Sequence, residues 1–298
     1  MNTTHDWHFP NGSLGRDGRD VFLTPRDAHW RFAGLQIISL AARTTFEFHG
    51  DGVEAAFIPM AALDIEIAVD RTQYQLSGRE GVFAGPTDWV YAPLDAKVTI
   101  TTASSSEIAI ATCVATERTA PAYCERDSFD LEIRGAGAAT REVRPFMHPD
   151  VFAGADRLMA VELITPDGNW SSYPPHRHDG IGSCPINNEE IYYFKIGKGN
   201  SVHGDTEGWG LHRTYTSPED PQGAIDATVT IRDSDVFIIP RGYHGPCVAA
   251  PGYPMYYLNV LAGSKPRSMA FCDDPTHSWI RQSWQGQEPD LRVPWRRI

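Results

Sequence analysis

Residues 169–194 read NWSSYPPHRHDGIGSCPINNEEIYYF. Residues i and i+2 of an extended strand face the same side, so His176 and His178 can aim both imidazoles at one point. Twelve residues after His178, Glu190 heads an apolar run that reads as the next strand. A fourth donor, His244, follows in RGYHGP behind the strand-like DVFIIP of residues 235–240. Three neutral imidazoles and one carboxylate suit a divalent first-row metal such as Zn, Mn, Fe, Ni or Co. A pair of surface histidines in a Pro-rich loop is the simpler reading. It does not explain why a later strand also ends in a turn that carries a histidine.

Strand signals continue on both sides of this stretch. Upstream, short runs rich in β-branched and aromatic residues lie between turn residues: Leu35–Leu40, Thr44–His49, Val53–Ile58, Ile65–Val69, Gln73–Leu76, Trp89–Ala92, Lys97–Thr102 and Glu107–Cys113. Downstream come Leu158–Ile164, Glu190–Phe194, Gly210–Tyr215, Ala227–Ile231, Val236–Ile239 and Met255–Leu261. Helical periodicity is nearly absent, so the chain reads as all-β. The expected organisation is an irregular arm over 1–30 that packs on a neighbour, a β-domain over 31–122, a connector over 123–153, a second β-domain over 154–273 and a polar tail over 274–298 that wraps another surface.

The two β-domains look like distant repeats. DWVYAPLDAK (88–97) parallels DVFIIPRGYH (235–244), and with the prolines aligned Lys97 falls where His244 stands. The first half has no His-x-His. It is expected to be a metal-free relative of the second, which carries the chemistry.

Composition narrows the partners. Acidic residues outnumber Lys and Arg by 38 to 26, a formal charge of -12, and no basic run is present, which argues against nucleic acid and acidic membrane surfaces. No apolar stretch approaches transmembrane length, and the first thirty residues lack a signal-peptide core. The five cysteines (Cys113, Cys124, Cys184, Cys247, Cys272) are scattered, odd in number and in no CxxC pair. No disulfide framework is expected from them, and a reducing cytoplasm is. Cys184 and Cys247, near the proposed site, read as incidental or small buried residues.

Together these motifs resemble the cupin superfamily, small β-barrels that hold one metal through two histidines and a glutamate in a first motif and a histidine in a second. Two departures stand out: Gly242 and His244 are one residue apart, and the loop from His178 to Glu190 is longer than the superfamily's usual spacing. Both fit one subgroup. SSYPPHRHD, EEIYYF, RTYT, PRGYH and PGYPMYYLNVLAG resemble the bicupin 5-deoxy-glucuronate isomerase family of myo-inositol catabolism, itself similar to the ketol-isomerase of 5-keto-4-deoxyuronate metabolism. The resemblance is strong over about residues 130–280, with TPDGNWSS before the histidine pair and DDPTHSWI after the last strand, and is limited to general layout in the first half. Lys195 stands where the family more usually has arginine.

The resemblance implies a bicupin with its metal site in the second barrel, one divalent ion per chain (Zn or Mn first) and a cytoplasmic enzyme, expected as a homo-oligomer, acting on a small-molecule sugar acid. The reaction would interconvert 5-deoxy-glucuronate, an aldose acid, and 5-dehydro-2-deoxy-gluconate, its ketose partner. A metal can chelate the carbonyl and neighbouring hydroxyl and act as Lewis acid, with either a proton or a hydride moving between the carbons. The substrate's carboxylate needs a cation; Arg213, on the strand after Glu190, is the first choice, ahead of Arg177, Arg241 and Lys195. A general base could be Tyr243, Tyr257 or a metal-bound water. Asp179 reads as a loop cap first, with a hydrogen bond to a ligand imidazole as the alternative. His203 and His212 read as non-ligands, because four protein groups already fill the coordination sphere. The loop 180–188 reads as either a lid or an insertion.

Other readings of the same residues are an Fe(II) cupin dioxygenase, an isomerase of 4-deoxy-5-keto-uronate, and a sugar-binding cupin without activity. The scaffold alone does not dictate the reaction.

Overall fold

The computed structural model describes residues 6–295. The first five residues of the N-terminal arm and the last three of the tail lie outside the described residues. The apolar runs form antiparallel strands in three sheets of nine, seven and six strands, and helix is confined to short pieces such as Ile280–Ser283. The chain is all-β, as its period-2 patterning requires.

The nine-stranded sheet takes its strands from residues 21–124. Its organising element is one long strand, Val53–Val69. The first part of that strand pairs with Ser106–Val114, and its far part pairs with Thr72–Arg79 and Lys97–Thr102. The register shifts between Pro59 and Ala61. Proline cannot donate to a ladder and is tolerated at such an irregularity. This explains why the sequence shows two strands, broken over 59–64, where the structure has one. The far strands enclose a core of their own, with Phe48, Phe57, Ile65, Ile67, Leu76 and Ile100 among its members.

The seven-stranded sheet carries Asn188–Ile196, Met255–Gly263, Met159–Thr165 and Arg141–Arg144 side by side. The stretch read as a connector thus supplies strands to this sheet: Arg141–Arg144 and Glu132–Arg134 pair with each other. The six-stranded sheet contains Trp209–Tyr215, Asp226–Arg232, Tyr243–Ala249 and the two-residue strand His176–Arg177. The strand Tyr243–Ala249 has no counterpart in the sequence reading, because its Gly245-Pro246 hides the pattern.

Alternation gives the seven-stranded sheet two different faces. Glu190 and Tyr192, Val161 and Leu163, Asn259 and Leu261, and Arg141 and Val143 line one cavity. The intervening side chains turn toward the first half of the chain. Glu189 accepts the backbone N–H groups of Arg31, Phe32 and Ala33 at 2.7 to 2.8 Å. The Tyr193 hydroxyl donates to Glu107 at 2.6 Å. Lys195 pairs with Glu107 at 3.0 Å. From the other side, the buried Glu54 accepts the N–H groups of Asp156, Arg157 and Leu158. One apolar core, including Leu35, Ile58, Trp89, Ile164, Ile191 and Tyr256, runs through this contact.

Two expectations change. The arm packs on its own chain: His8–Phe9 pairs with Val236–Ile238, and Trp7 is buried. Cysteine pairing, not expected from spacing, is present between Cys184 and Cys272, 88 residues apart in sequence with Cα atoms 5.8 Å apart. The physical reason is strand pairing. Arg177 lies in register with Cys272, and the loop after His178 folds back so that Cys184 faces the Arg177 carbonyl. The disulfide also removes the cysteine argument for a reducing compartment. No helix among the described residues is long and apolar enough to cross a membrane.

Candidate metal centre

His176 and His178 leave a short strand whose partner is the strand of His244; His176 and His244 are paired residues in that ladder. A ligating nitrogen from each of His176, His178 and His244 falls within 4.8 Å of the others. Glu190 comes from the seven-stranded sheet opposite, and its Oε2 lies 2.8 Å from His178 Nε2 and 3.0 Å from His244 Nε2. Glu190, His178 and His244 are all buried, and His176 is half-buried. The four donors therefore converge from two sheets, and the chain positions them by register.

The second nitrogen of His178 is fixed by the Asn188 carbonyl, 3.1 Å from Nδ1. With Nδ1–H donating there, Nε2 is left to face the Glu190 carboxylate. That contact is favourable only with a cation between or upon the two groups, a proton or a metal ion. Both ring nitrogens of His244 are buried; Nδ1 has no partner, and Nε2 lies 3.0 Å from Glu190 Oε2 without hydrogen-bond geometry. Orphaned buried nitrogens aimed at a carboxylate fit a bound metal ion.

Electrostatics point the same way. Burial would raise the Glu190 pKa, but His178 and His244 draw it well below the usual carboxylate range. Burial, reinforced by His244 and His178, drives His176 well below the usual imidazole value. Burial also lowers His244. In His178, burial is outweighed by Glu190, and the pKa rises.

His176, His178 and Glu190 open on a cavity of about 280 Å³ that is also lined by Ser172, Tyr192, Asn259 and three arginines, Arg134, Arg141 and Arg281. Beneath it the hydroxyls of Tyr192 and Tyr257 meet Ser172 at 3.3 and 2.9 Å, and Tyr257 donates to Ser171 at 3.0 Å. Burial pushes Tyr257 well above the usual phenol range, and its hydroxyl is engaged by Ser171 and Ser172.

The structure does not bring Arg213 or Tyr243 to the cavity. On Trp209–Tyr215 the buried residues are Gly210, His212 and Thr214, and Arg213 points outward to Asp226 at 3.0 Å. Tyr243 precedes His244 on its strand and so faces the other way, with Arg177 over its ring. Arg177 itself holds Asp179 by two bonds of 2.8 Å. Asp179 in turn accepts the Gly242 N–H, a loop-capping role that steadies the turn before His244. His212 is buried with Nδ1 against Cys247 Sγ at 3.1 Å, outside the donor set. Sequence reasoning missed Arg141, Tyr192 and Asn259. Their only signal was alternation with Glu142, Ile191 and Leu258, which share no face with them.

A family model described as the KduI/IolB family matches residues 8–280. The chain is 35% identical over 280 residues to a Geobacillus kaustophilus protein named 5-deoxy-glucuronate isomerase, covering 92% of this chain and 95% of that one. It is 30% identical to the Bacillus subtilis (strain 168) protein of the same name, covering 87% and 91%. The crystal structure of an IolB-like protein from Salmonella typhimurium LT2 superposes with a TM-score of 0.80 at 25% identity, over 92% of this chain and 98% of that one. An oxalate decarboxylase superposes with a TM-score of 0.60 at 11% identity, over 92% and 80%, a likeness of fold alone. A match this long, with relatives this similar over nearly their whole length, places the chain in the KduI/IolB family.

Proposed function

We propose that this enzyme is a metal-dependent aldose–ketose isomerase that converts 5-deoxy-D-glucuronate to 5-dehydro-2-deoxy-D-gluconate in myo-inositol catabolism. The observation that carries the reading is the cluster of His176, His178 and His244, with Glu190 against two of them, beside an arginine-lined cavity. The names of the 30–35% identical relatives support the substrate. On this reading the fold is a bicupin, its second barrel spanning about residues 154–273 around the metal, which is Zn or Mn.

When bound, the ion supplies Lewis acidity to the substrate's carbonyl and neighbouring hydroxyl. The four side chains hold it, and the Asn188 carbonyl fixes the tautomer and ring plane of His178. The chain's other residues orient the sugar. Asn259 Oδ1 is buried without a partner and can accept a hydrogen bond from a substrate hydroxyl. Ser172 and Tyr192 also line the cavity. Val161, Leu163, Leu261 and Phe271 keep the cavity partly apolar, which strengthens each polar contact made in it.

The test is an assay of the metal-reconstituted protein with 5-deoxy-glucuronate under nitrogen, followed by NMR in D2O. Turnover to the ketose without oxygen is expected. Deuterium at carbon 1 would mark proton transfer, and its absence a hydride shift. Oxygen uptake in air with no anaerobic turnover would overturn the isomerase in favour of a dioxygenase.

A further inference from the structure

Three arginines line the metal cavity, and two already have carboxylates. Arg134 is held by Glu132 at 2.6 Å, and Arg281 by Asp273 at 2.7 Å. Arg141 has none. Its guanidinium is 3% exposed and forms no ion pair among the described residues. Nη1 donates to the Ala139 carbonyl at 3.1 Å, and Nε has no partner at all. An indole face, that of Trp284, lies 5.9 Å from its Cζ. Burying a charge without a counter-ion is costly, and native proteins pair such groups. Burial, with Arg134 and Arg281 adding to it, lowers the Arg141 pKa to about 9.

The backbone is also built to hold the group. Gly135 adopts φ +82, and a Cβ there would collide first with the Ala139 carbonyl, the acceptor of Arg141 Nη1, and come within 2.9 Å of Nη1 itself. The strand Arg141–Arg144 sorts its charges by alternation: Glu142 and Arg144 pair with each other on the opposite face at 2.7 Å. Arg141 is thus left alone on the cavity side.

We propose that Arg141 is the subsite that holds the carboxylate of the sugar acid, with the metal donors receiving the carbonyl part of the same molecule. This assignment rests on the isomerase reading for its substrate. An arginine fork matches a carboxylate by two parallel hydrogen bonds, and in a buried site the pair is mutually neutralising. The protein's net charge of -12 repels an acid substrate, so recognition needs such a local cation.

The test compares wild type with Arg141→Met and Arg141→Lys at equal metal content. Calorimetric binding of D-glucuronate and of neutral D-glucose reads the subsite without requiring turnover. Wild type is expected to prefer the acid by about 10-fold or more, and Arg141→Met to bind both sugars alike. The kcat/KM for 5-deoxy-glucuronate is expected to fall about 100-fold in Arg141→Met, the loss usual for truncating a buried charge pair, with partial recovery in Arg141→Lys. Activity on 5-deoxyglucose, which lacks the carboxylate, should change little. Retention of the acid preference by Arg141→Met, an equal loss on both substrates, or no preference in wild type would each overturn the assignment. Acid-selective binding through Arg141 without turnover of 5-deoxy-glucuronate would leave the subsite standing and overturn the isomerase reading.

Discussion

Arg79, from the nine-stranded sheet, and Glu162, from the seven-stranded sheet, form a two-pronged ion pair across the contact between the halves of the chain, with side chains 2% and 3% exposed. Arg79 Nη1 donates to Glu162 Oε2 at 3.1 Å, the Tyr256 hydroxyl donates to Oε1 at 2.7 Å, and Arg144 Nη1 lies 3.5 Å from Oε2. A single carboxylate therefore neutralises charges from both halves. Glu162→Gln would leave the buried Arg79 guanidinium without a carboxylate, while Arg144 keeps Glu142 at 2.7 Å, at a cost of about 3–5 kcal/mol. Urea unfolding at pH 7 should show this loss. A loss below ~1 kcal/mol would mean that the pair is solvated or readily replaced.

The same carboxylate sets a pH dependence. Burial alone would raise the Glu162 pKa, but Arg79 and Arg144 bring it below the usual range. A depressed folded-state pKa gives stability that is fully present above the unfolded value of roughly 4.3 and is lost as pH falls through the folded-state value. Stability measured from pH 7 down to pH 3 should fall more steeply for wild type than for Glu162→Gln. Parallel curves would assign the acid sensitivity to other carboxylates.

Removing one metal donor should separate chemistry from folding. His176 is half-buried at the cavity wall, and its strand pairing is made by the backbone. His176→Ala should bind no metal by elemental analysis and show a loss of activity larger than the ~10–100-fold usual for disturbing a ligand's outer partners. Its circular dichroism should remain that of wild type. Stoichiometric metal and full activity in the variant would remove His176 from the donor set.

Arg213 provides the contrast to Arg141. Its guanidinium is exposed and pairs with the exposed Asp226. Surface pairs of this kind contribute about 0–1 kcal/mol. Arg213→Ala should keep kcat/KM within about 2-fold of wild type. A large rise in KM for the acid substrate alone would return Arg213 to the binding site.

The Cys184–Cys272 bridge predicts a thiol count. Unfolded, unreduced protein should titrate three thiols, Cys113, Cys124 and Cys247, and five after reduction. A crosslink between residues 88 apart should contribute on the order of 4–5 kcal/mol through the unfolded chain. Five thiols before reduction would show that the bridge does not form in solution.

By itself the sequence determined that the chain is all-β, since hydrophobic alternation is local and can be read in windows of a few residues. Trp89–Ala92 and Lys97–Thr102 begin and end where the pattern says they should. It also put forward His176, His178, Glu190 and His244 as one donor set, because two of them share a strand face, Glu190 heads an apolar run and His244 follows one. The tertiary structure decided what depends on register between distant strands. It alone gathered the three histidines with Glu190 beside two of them, joined Cys184 to Cys272, and folded the arm back onto Val236–Ile238. It also exchanged one arginine for another. Arg213 and Arg141 both sit on strands, and alternation alone fixes only that neighbours face opposite ways. Which face becomes the cavity is set by the sheets that close over it. For that reason Arg141, in a charged stretch with no local sign of burial, became the buried cation beside the metal centre.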